Sequence, residues 1–162
     1  MITINRIKEL LLYDHETGIF RWKVMRGGSL PGSIAGSLTW NGYHHIMIDG
    51  KNYRAHRLAW LYIYGEWPTI DIDHVDGDRT NNKIENLRLA LRSQNNINSG
   101  PPKNNTSGIR GVYWNKKAGK FTASIGVNGK SIYLGLFSSI EEALDARISA
   151  EIKYYGEFAR VA

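Results

Sequence analysis

The chain has 162 residues, 21 lysines and arginines against 15 aspartates and glutamates, no cysteine, and a formal charge of +6. The missing cysteines exclude disulfides and Cys-ligated zinc as staples, and no apolar run approaches the roughly 20 residues of a membrane-spanning helix. Residues 1–8 lack a signal-peptide core, so a cytoplasmic protein of one ordinary domain or two small ones is expected.

In chain order, Ile4, Ile7, Leu10 and Leu11 recur at helical spacing and predict a helix over residues 4–13, ended by Thr17-Gly18. Phe20, Trp22 and Val24 alternate as a short strand. A hairpin follows, with residues 43–48 and 52–55 joined at Asp49-Gly50, a pair suited to the positive φ angles of a type I′ turn. Residues 56–64 read as a buried helix stopped by Gly65 and Pro68. Two prolines, a glycine and polar neighbours make residues 99–107 a linker or ordered arm. Beyond it, three strand-like runs occupy residues 109–114, 120–126 and 131–136, with turns at residues 115–119 and at Asn128-Gly129. Ser139 and Glu142 form a capping box for a final helix carrying Ala143, Leu144, Ala146, Ile148 and Ala150 inward and closed by Gly156.

Charge position says more than net charge. After Glu85 no acidic residue appears until Glu141, and that gap holds Arg88, Arg92, Lys103, Arg110, Lys116, Lys117, Lys120 and Lys130. Such a stretch makes a positive field that attracts a polyanion. The densest chemistry lies in residues 70–98: Asp73-His74-Val75-Asp76-Gly77-Asp78, then Glu85-Asn86-Leu87-Arg88, then Gln94-Asn95-Asn96. A carboxylate beside a histidine, with two asparagines returning later, supplies a divalent-metal ligand, a general base, a residue to orient the base and a second metal ligand. Phosphodiester hydrolysis needs those parts. Asn96 and Asn98 compete with Asn95, and Asp71 shares a strand face with Asp73. Asp76-Gly77-Asp78 reads as a tight polar turn, since a calcium loop needs a longer ligand series. His44 and His45 point to opposite strand faces and do not easily share one ion. For His56 a packing or phosphate-contact role is expected.

This order and spacing resemble the HNH nucleases, whose sites sit on a ββα-metal (His-Me) finger. The likeness is closest to phage and intron-encoded homing endonucleases, which read Asp-His-x-Asp-Gly…Glu-Asn-Leu-Arg…Asn. The resemblance implies a DNA endonuclease, phage-encoded, with one Mg²⁺ (or Mn²⁺) per active site held by Asp73 and Asn95. It also implies His74 as general base, Asn86 accepting a hydrogen bond from the other ring nitrogen, and products with 5′-phosphate and 3′-hydroxyl ends. Histidine suits the base because its ordinary pKa lies near working pH. The chain departs from the pattern in having no Cys-ligated zinc, and in Leu91, where relatives often have threonine. Arg54, Arg57, Arg79 and Arg88 are candidate phosphate contacts.

Arg110-Gly111-Val112-Tyr113-Trp114, residues 119–125, residues 133–137 and Glu141-Glu142-Ala143 resemble the ethylene-response-factor (apetala) DNA-binding domain. The likeness covers about residues 105–160. It implies that an antiparallel sheet meets the major groove of duplex DNA through Arg110, Tyr113, Trp114, Lys116, Lys120, Thr122, Ser124 and Tyr133. Fewer arginines than the pattern carries imply tolerant sequence reading dominated by phosphate.

The expected fold class is α+β: a ββα-metal nuclease domain at residues 1–98, its motif core at 70–98, a linker at 99–107, and a three-stranded antiparallel sheet packed on one helix at 108–162. The expected activity is metal-dependent cleavage of double-stranded DNA by a monomer or weak dimer without membrane or protein partner. The alternatives are a non-catalytic DNA-binding regulator with a relic nuclease fold, and an RNA-binding or RNA-cutting module.

Overall fold

The computed structural model describes residues 2–97 and 105–159, in two compact units, Met1–Arg92 and Ser93–Ala162. Most of the expected linker, residues 99–104, lies outside the described residues.

The first unit opens with α1 (Ile4–Leu10), whose first turn is capped by Thr3 Oγ1 accepting from the Arg6 N–H at 3.3 Å. The expected helix to residue 13 ends early, because Leu11–Asp14 is a strand, β1. It pairs antiparallel with β2 (Ile19–Trp22), Leu11 opposite Trp22. In an extended chain Leu11 and Tyr13 both turn inward and Leu12 outward, so pairing and burial outweigh a helical spacing that the two segments share. Val24 falls beyond β2.

Next come β3 (Ser37–Leu38), a short strand that no sequence signal announces, β4 (His44–Ile48) and β5 (Lys51–Arg54), an antiparallel sheet in that order. Asp49 and Gly50 both have positive φ, 49° and 75°, as the type I′ turn requires. Arg6 and Arg26 clasp the Asp49 carboxylate, and their hydrogen bonds pull its pKa down to about 2. The buried helix is α2 (Ala55–Tyr64), stopped by Gly65 at φ 80°. Ile7, Leu11, Phe20, Ile46, Ile48 and Leu58 are fully buried in one core, each side chain contributing on the order of 1.5–3 kcal/mol. Against that core lie Ile72 of β6 (Asp71–His74) and Leu87 of β7 (Leu87–Ala90), joined by a loop and a 3-10 turn at Ile84–Asn86. β6 and β7 pair antiparallel, Asp73 opposite Arg88, and α3 (Arg92–Ile97) follows.

In the second unit β8 (Val112–Asn115), β9 (Lys120–Val127) and β10 (Lys130–Phe137) form an antiparallel sheet with β9 central. Asn128 and Gly129 turn at φ 49° and 76°. A register shift between Tyr133 and Gly135 makes a bulge in β10. Helix α4 (Ile140–Tyr155) packs on the sheet and is capped by Ser139 Oγ, which accepts from the Glu142 N–H. The return bond reaches one residue further back than the capping box foresees, from the Ser138 N–H to Glu142 Oε2 at 2.9 Å. The inward stripe also differs: Ala143, Arg147 and Ala150 are its buried members. Arg147 is admitted because its groups are satisfied there, Nε by Glu151 at 2.8 Å and Nη1 by the Ser124 carbonyl. Glycine is needed at position 111, where a Cβ would meet the Ser124 carbonyl oxygen at 2.3 Å. No helix among the described residues is long and apolar enough to cross a membrane.

Candidate active site

Asp73 and His74 end strand β6 and are 3% and 4% exposed. Strand alternation sends them to opposite faces, so one short strand presents the carboxylate and the imidazole together but to different neighbours. Arg88, opposite Asp73 on β7, donates from Nε at 2.9 Å and from Nη2 at 2.7 Å, both to Asp73 Oδ2.

The imidazole is held from the loop after β6. His74 Nε2 lies 3.2 Å from Asn82 Oδ1. Asn82 is itself fixed, its Nδ2 donating to the Thr80 carbonyl at 3.1 Å and its own carbonyl accepting from the Tyr13 hydroxyl at 2.7 Å. With the amide nitrogen committed to Thr80, its oxygen faces His74, an orientation that favours the tautomer with the proton on Nε2. That tautomer leaves the lone pair on Nδ1. Burial lowers the His74 pKa, opposed by the bond to Asn82 and by the negative Asp76, Asp73 and Asp78, and the net direction is downward. A neutral ring at neutral pH follows. Burial likewise pushes the Tyr13 hydroxyl up to about 12.

Asn86, the residue expected to orient His74, does something else. Its Oδ1 accepts from the Asp76 N–H at 3.1 Å, and its Nδ2 donates to Asp76 Oδ1 and to the Asn81 carbonyl, each at 2.9 Å. Lying in the 3-10 turn, it closes the base of the loop that carries Asn82, and its contact with the histidine is indirect. The Asp76 carboxylate also receives Asn81 Nδ2 and the Asp78 N–H. Against the upward push of burial, these bonds hold its pKa below the ordinary carboxylate value. The Asp76-Gly77-Asp78 segment is thus a self-bonded polar turn. Asn82 escapes a reading of the sequence because Asn81-Asn82 has the composition of a turn, and its bond to the imidazole depends on the Tyr13 contact 69 residues away.

A ring cluster backs the histidine. His56 stands edge-on to His74 with centroids 5.1 Å apart, and Tyr43 lies 5.3 Å from His56 and 6.1 Å from His74. His56 is 3% exposed and its Nδ1 has no hydrogen-bond partner among the described residues. Burial foremost, then the charges of His74, Arg54 and Arg57, push its pKa down to about 3. Arg57 turns toward the chain itself, with Nη2 donating to the Pro68 carbonyl at 3.2 Å and the guanidinium 6.0 Å from the Trp67 ring centre.

Asn95 lies on α3, at residues assigned to the second unit. In that unit Arg110 Nη1 donates to the Asn96 carbonyl at 2.6 Å and engages the last turn of α3. Tyr113, Lys120, Ser124 and Tyr133 share the sheet face turned away from α4, with Tyr113 and Tyr133 exposed. Thr122 lies on that face too but is 3% exposed, because Tyr113 and Leu136 flank it on the adjoining strands. It therefore packs within the sheet, short of the surface where a groove contact was expected. Trp114 turns to the other face and meets Phe121 edge-on at 4.9 Å. Lys116 is exposed in the β8–β9 turn.

Among the described residues no group of three or more His, Cys, Asp and Glu converges as a metal cage. The donors available at Asp73 are oxygens, which suit a hard divalent ion.

Residues 53–97 match the family model described as HNH endonuclease. That span contains Asp73, His74, Asn82, Asn86, Arg88 and Asn95. The chain is similar to Protein 3.8 of Escherichia phage T7, 38% identical over 78 residues, 48% of this chain and 64% of that protein. It is also similar to the uncharacterized HNH endonuclease L560 of Acanthamoeba polyphaga mimivirus, 32% identical over 116 residues, 70% of this chain and 59% of that protein. The chain thus spans less than two thirds of either relative. A solved structure titled for DNA binding and cleavage by the HNH homing endonuclease I-HmuI aligns with 90% of this chain and 85% of that one, at 19% identity and TM-score 0.42.

Proposed function

We propose that the chain is a metal-dependent endonuclease of the homing type that hydrolyses phosphodiester bonds of duplex DNA. The observation that carries this reading is the imidazole of His74. It is buried, kept neutral, and bonded through Nε2 to a fixed amide oxygen, so Nδ1 is set to take a proton, and a carboxylate is its neighbour in the chain. A general base for water needs that combination. Asn82 holds the tautomer, and Asn86 closes the loop that presents Asn82.

One Mg²⁺ or Mn²⁺ ion, bound at Asp73 and Asn95, would neutralise charge on the phosphoryl group and stabilise the leaving oxygen. Arg88 balances the charge of the Asp73 carboxylate where it is buried. The second unit is read as a DNA-binding domain that offers Tyr113, Lys116, Lys120, Ser124 and Tyr133 to the duplex, with a tolerant, phosphate-dominated choice of site. Arg57 and Arg110 are read as further phosphate contacts, each guanidinium oriented by a bond to a main-chain carbonyl.

The test is cleavage of a labelled genomic DNA pool with Mg²⁺, and with chelator as control, followed by mapping of ends on each strand. His74→Ala should lower cutting by about 10²–10⁴-fold with little loss of DNA affinity. A wild-type protein that binds duplex DNA but never cuts it would establish the regulator reading instead, and preference for structured RNA in competition would establish the RNA reading.

A further inference from the structure

Two arginines converge on the ring cluster beside His74. The guanidinium carbon of Arg54 lies 4.8 Å from the Tyr43 ring centre and that of Arg79 lies 4.9 Å from it. Both side chains belong to exposed residues, and among the described residues neither has a carboxylate within 4.0 Å. Surface arginines are commonly just solvated. These two are held: each rests against one aromatic ring, and Arg79 Nη1 also donates to the Asn41 carbonyl at 2.9 Å. That carbonyl is in a built turn, where the Gly42 N–H bonds the Thr39 carbonyl and the Thr39 N–H bonds the Tyr43 carbonyl, each at 2.9 Å. Bringing two like charges to one ring without a counter-ion leaves a repulsion that an anion between or beside them would relieve. A guanidinium already oriented by stacking loses less freedom on gripping a phosphate oxygen.

Position identifies the anion. The Tyr43 ring centre is 6.1 Å from that of His74, and each guanidinium is less than 5 Å further on. The pair is therefore at most about 11 Å from the imidazole, within roughly three nucleotide steps at ~3.4 Å of rise each. Resting on the endonuclease reading above, we infer that Arg54 and Arg79, oriented on Tyr43, grip backbone phosphates flanking the scissile bond on the strand being cut. Arg54 and Arg79 touch the substrate. Tyr43 is a positioning residue that sets their direction.

The test measures, on the full chain, the salt dependence of affinity for a labelled duplex together with cleavage kinetics. Arg54→Gln and Arg79→Gln should each reduce the slope of log affinity against log salt by about 0.9 and raise KM. Arg54→Lys and Arg79→Lys should keep the slope, since the charge stays. Tyr43→Leu should keep the slope but lower kcat/KM, and Tyr43→Phe, which retains the ring, should restore it. Both arginines are exposed, so the glutamine variants should fold like the wild type. An unchanged slope in the double glutamine variant overturns the clamp, even if the wild type cuts. A wild type that binds with a salt slope but does not cut defeats the nuclease reading, and the clamp then stands or falls on the slope alone. Equal kcat/KM for Tyr43→Leu and wild type overturns the positioning role of the tyrosine.

Discussion

Asn82 and His56 both act on His74 by holding it. Replacing Asn82 with leucine removes the acceptor at Nε2 and frees the imidazole to adopt the other tautomer. Cutting should fall by about tenfold or more, in the range that general-base catalysis spans, with DNA affinity unchanged. The same rate in single-turnover cleavage would show that the bond from Asn82 is not what orients the base. Asn86→Ala should lose activity together with folding stability, because Asn86 ties Asp76 to Asn81. For His56, the folded pKa of about 3 lies below the ordinary 6.5. Between those values the unfolded chain takes up a proton that the folded chain refuses, so the His56 contribution to stability is constant above pH 6.5 and declines as pH falls toward 3. His56→Leu should flatten that decline, by at most ~1.4 kcal/mol per pH unit. Denaturant midpoints of both proteins across that window give the comparison, and parallel curves would mean that His56 does not carry the effect.

The β1–β2 hairpin shows what an early element contributes to a site some sixty residues later in the chain. Tyr13 at the inner side of β1 bonds the Asn82 carbonyl, and Gly18 after the turn packs so closely that a Cβ would meet Lys83 N at 2.5 Å and the Asn82 carbonyl carbon at 2.6 Å. The obstacle is backbone, and φ is +72°, so Gly18→Ala combines a steric clash with a strained conformation. A cost on the order of 1–3 kcal/mol is expected, with cutting reduced beyond what the fraction folded explains, because Asn82 is displaced. Gly28→Ala provides the control: its φ is +87° but nothing lies within 4 Å of the added carbon, so it should strain the chain and leave cleavage intact. Circular dichroism and rate measurements at one temperature would distinguish the two. Equal activity per folded molecule in both variants would show that the hairpin's approach does not position Asn82.

At the scale of the whole molecule, chemistry and basic charge are distributed unevenly along the chain. The acid-free stretch between Glu85 and Glu141 lies mostly beyond residue 92, while Asp73, His74, Asn82 and Asn86 lie before residue 92. Division near Pro101 should leave an N-terminal fragment that cuts only at low salt and high enzyme. Its salt slope should be shallower, since every phosphate that no longer meets a lysine or arginine takes about 0.9 from that slope. The C-terminal fragment should bind duplex DNA without cutting it. If it has no affinity even at low salt, the second unit is not a DNA-binding domain.

Local chemistry was legible in the residues alone. Asp49-Gly50 and Asn128-Gly129 dictate their turns because few residues tolerate positive φ, and Ser139 with Glu142 announces a helix start by satisfying free amides nearby. Asp73-His74 stood out for the same reason, as a rare adjacency with a chemical use. What only the tertiary structure decided depends on partners distant in sequence. Leu11 and Tyr13 are strand because β2 is there to pair with them. Arg147 is buried because the Ser124 carbonyl and Glu151 receive it. Asn82, rather than Asn86, meets the imidazole because Tyr13 and Thr80 fix its amide, and Tyr43 gathers Arg54 and Arg79 because folding brings three separate segments to one ring. Spacing along a chain specifies local geometry. Which of two similar side chains reaches a given atom is set by packing, and one sequence carries that information only through the fold it adopts.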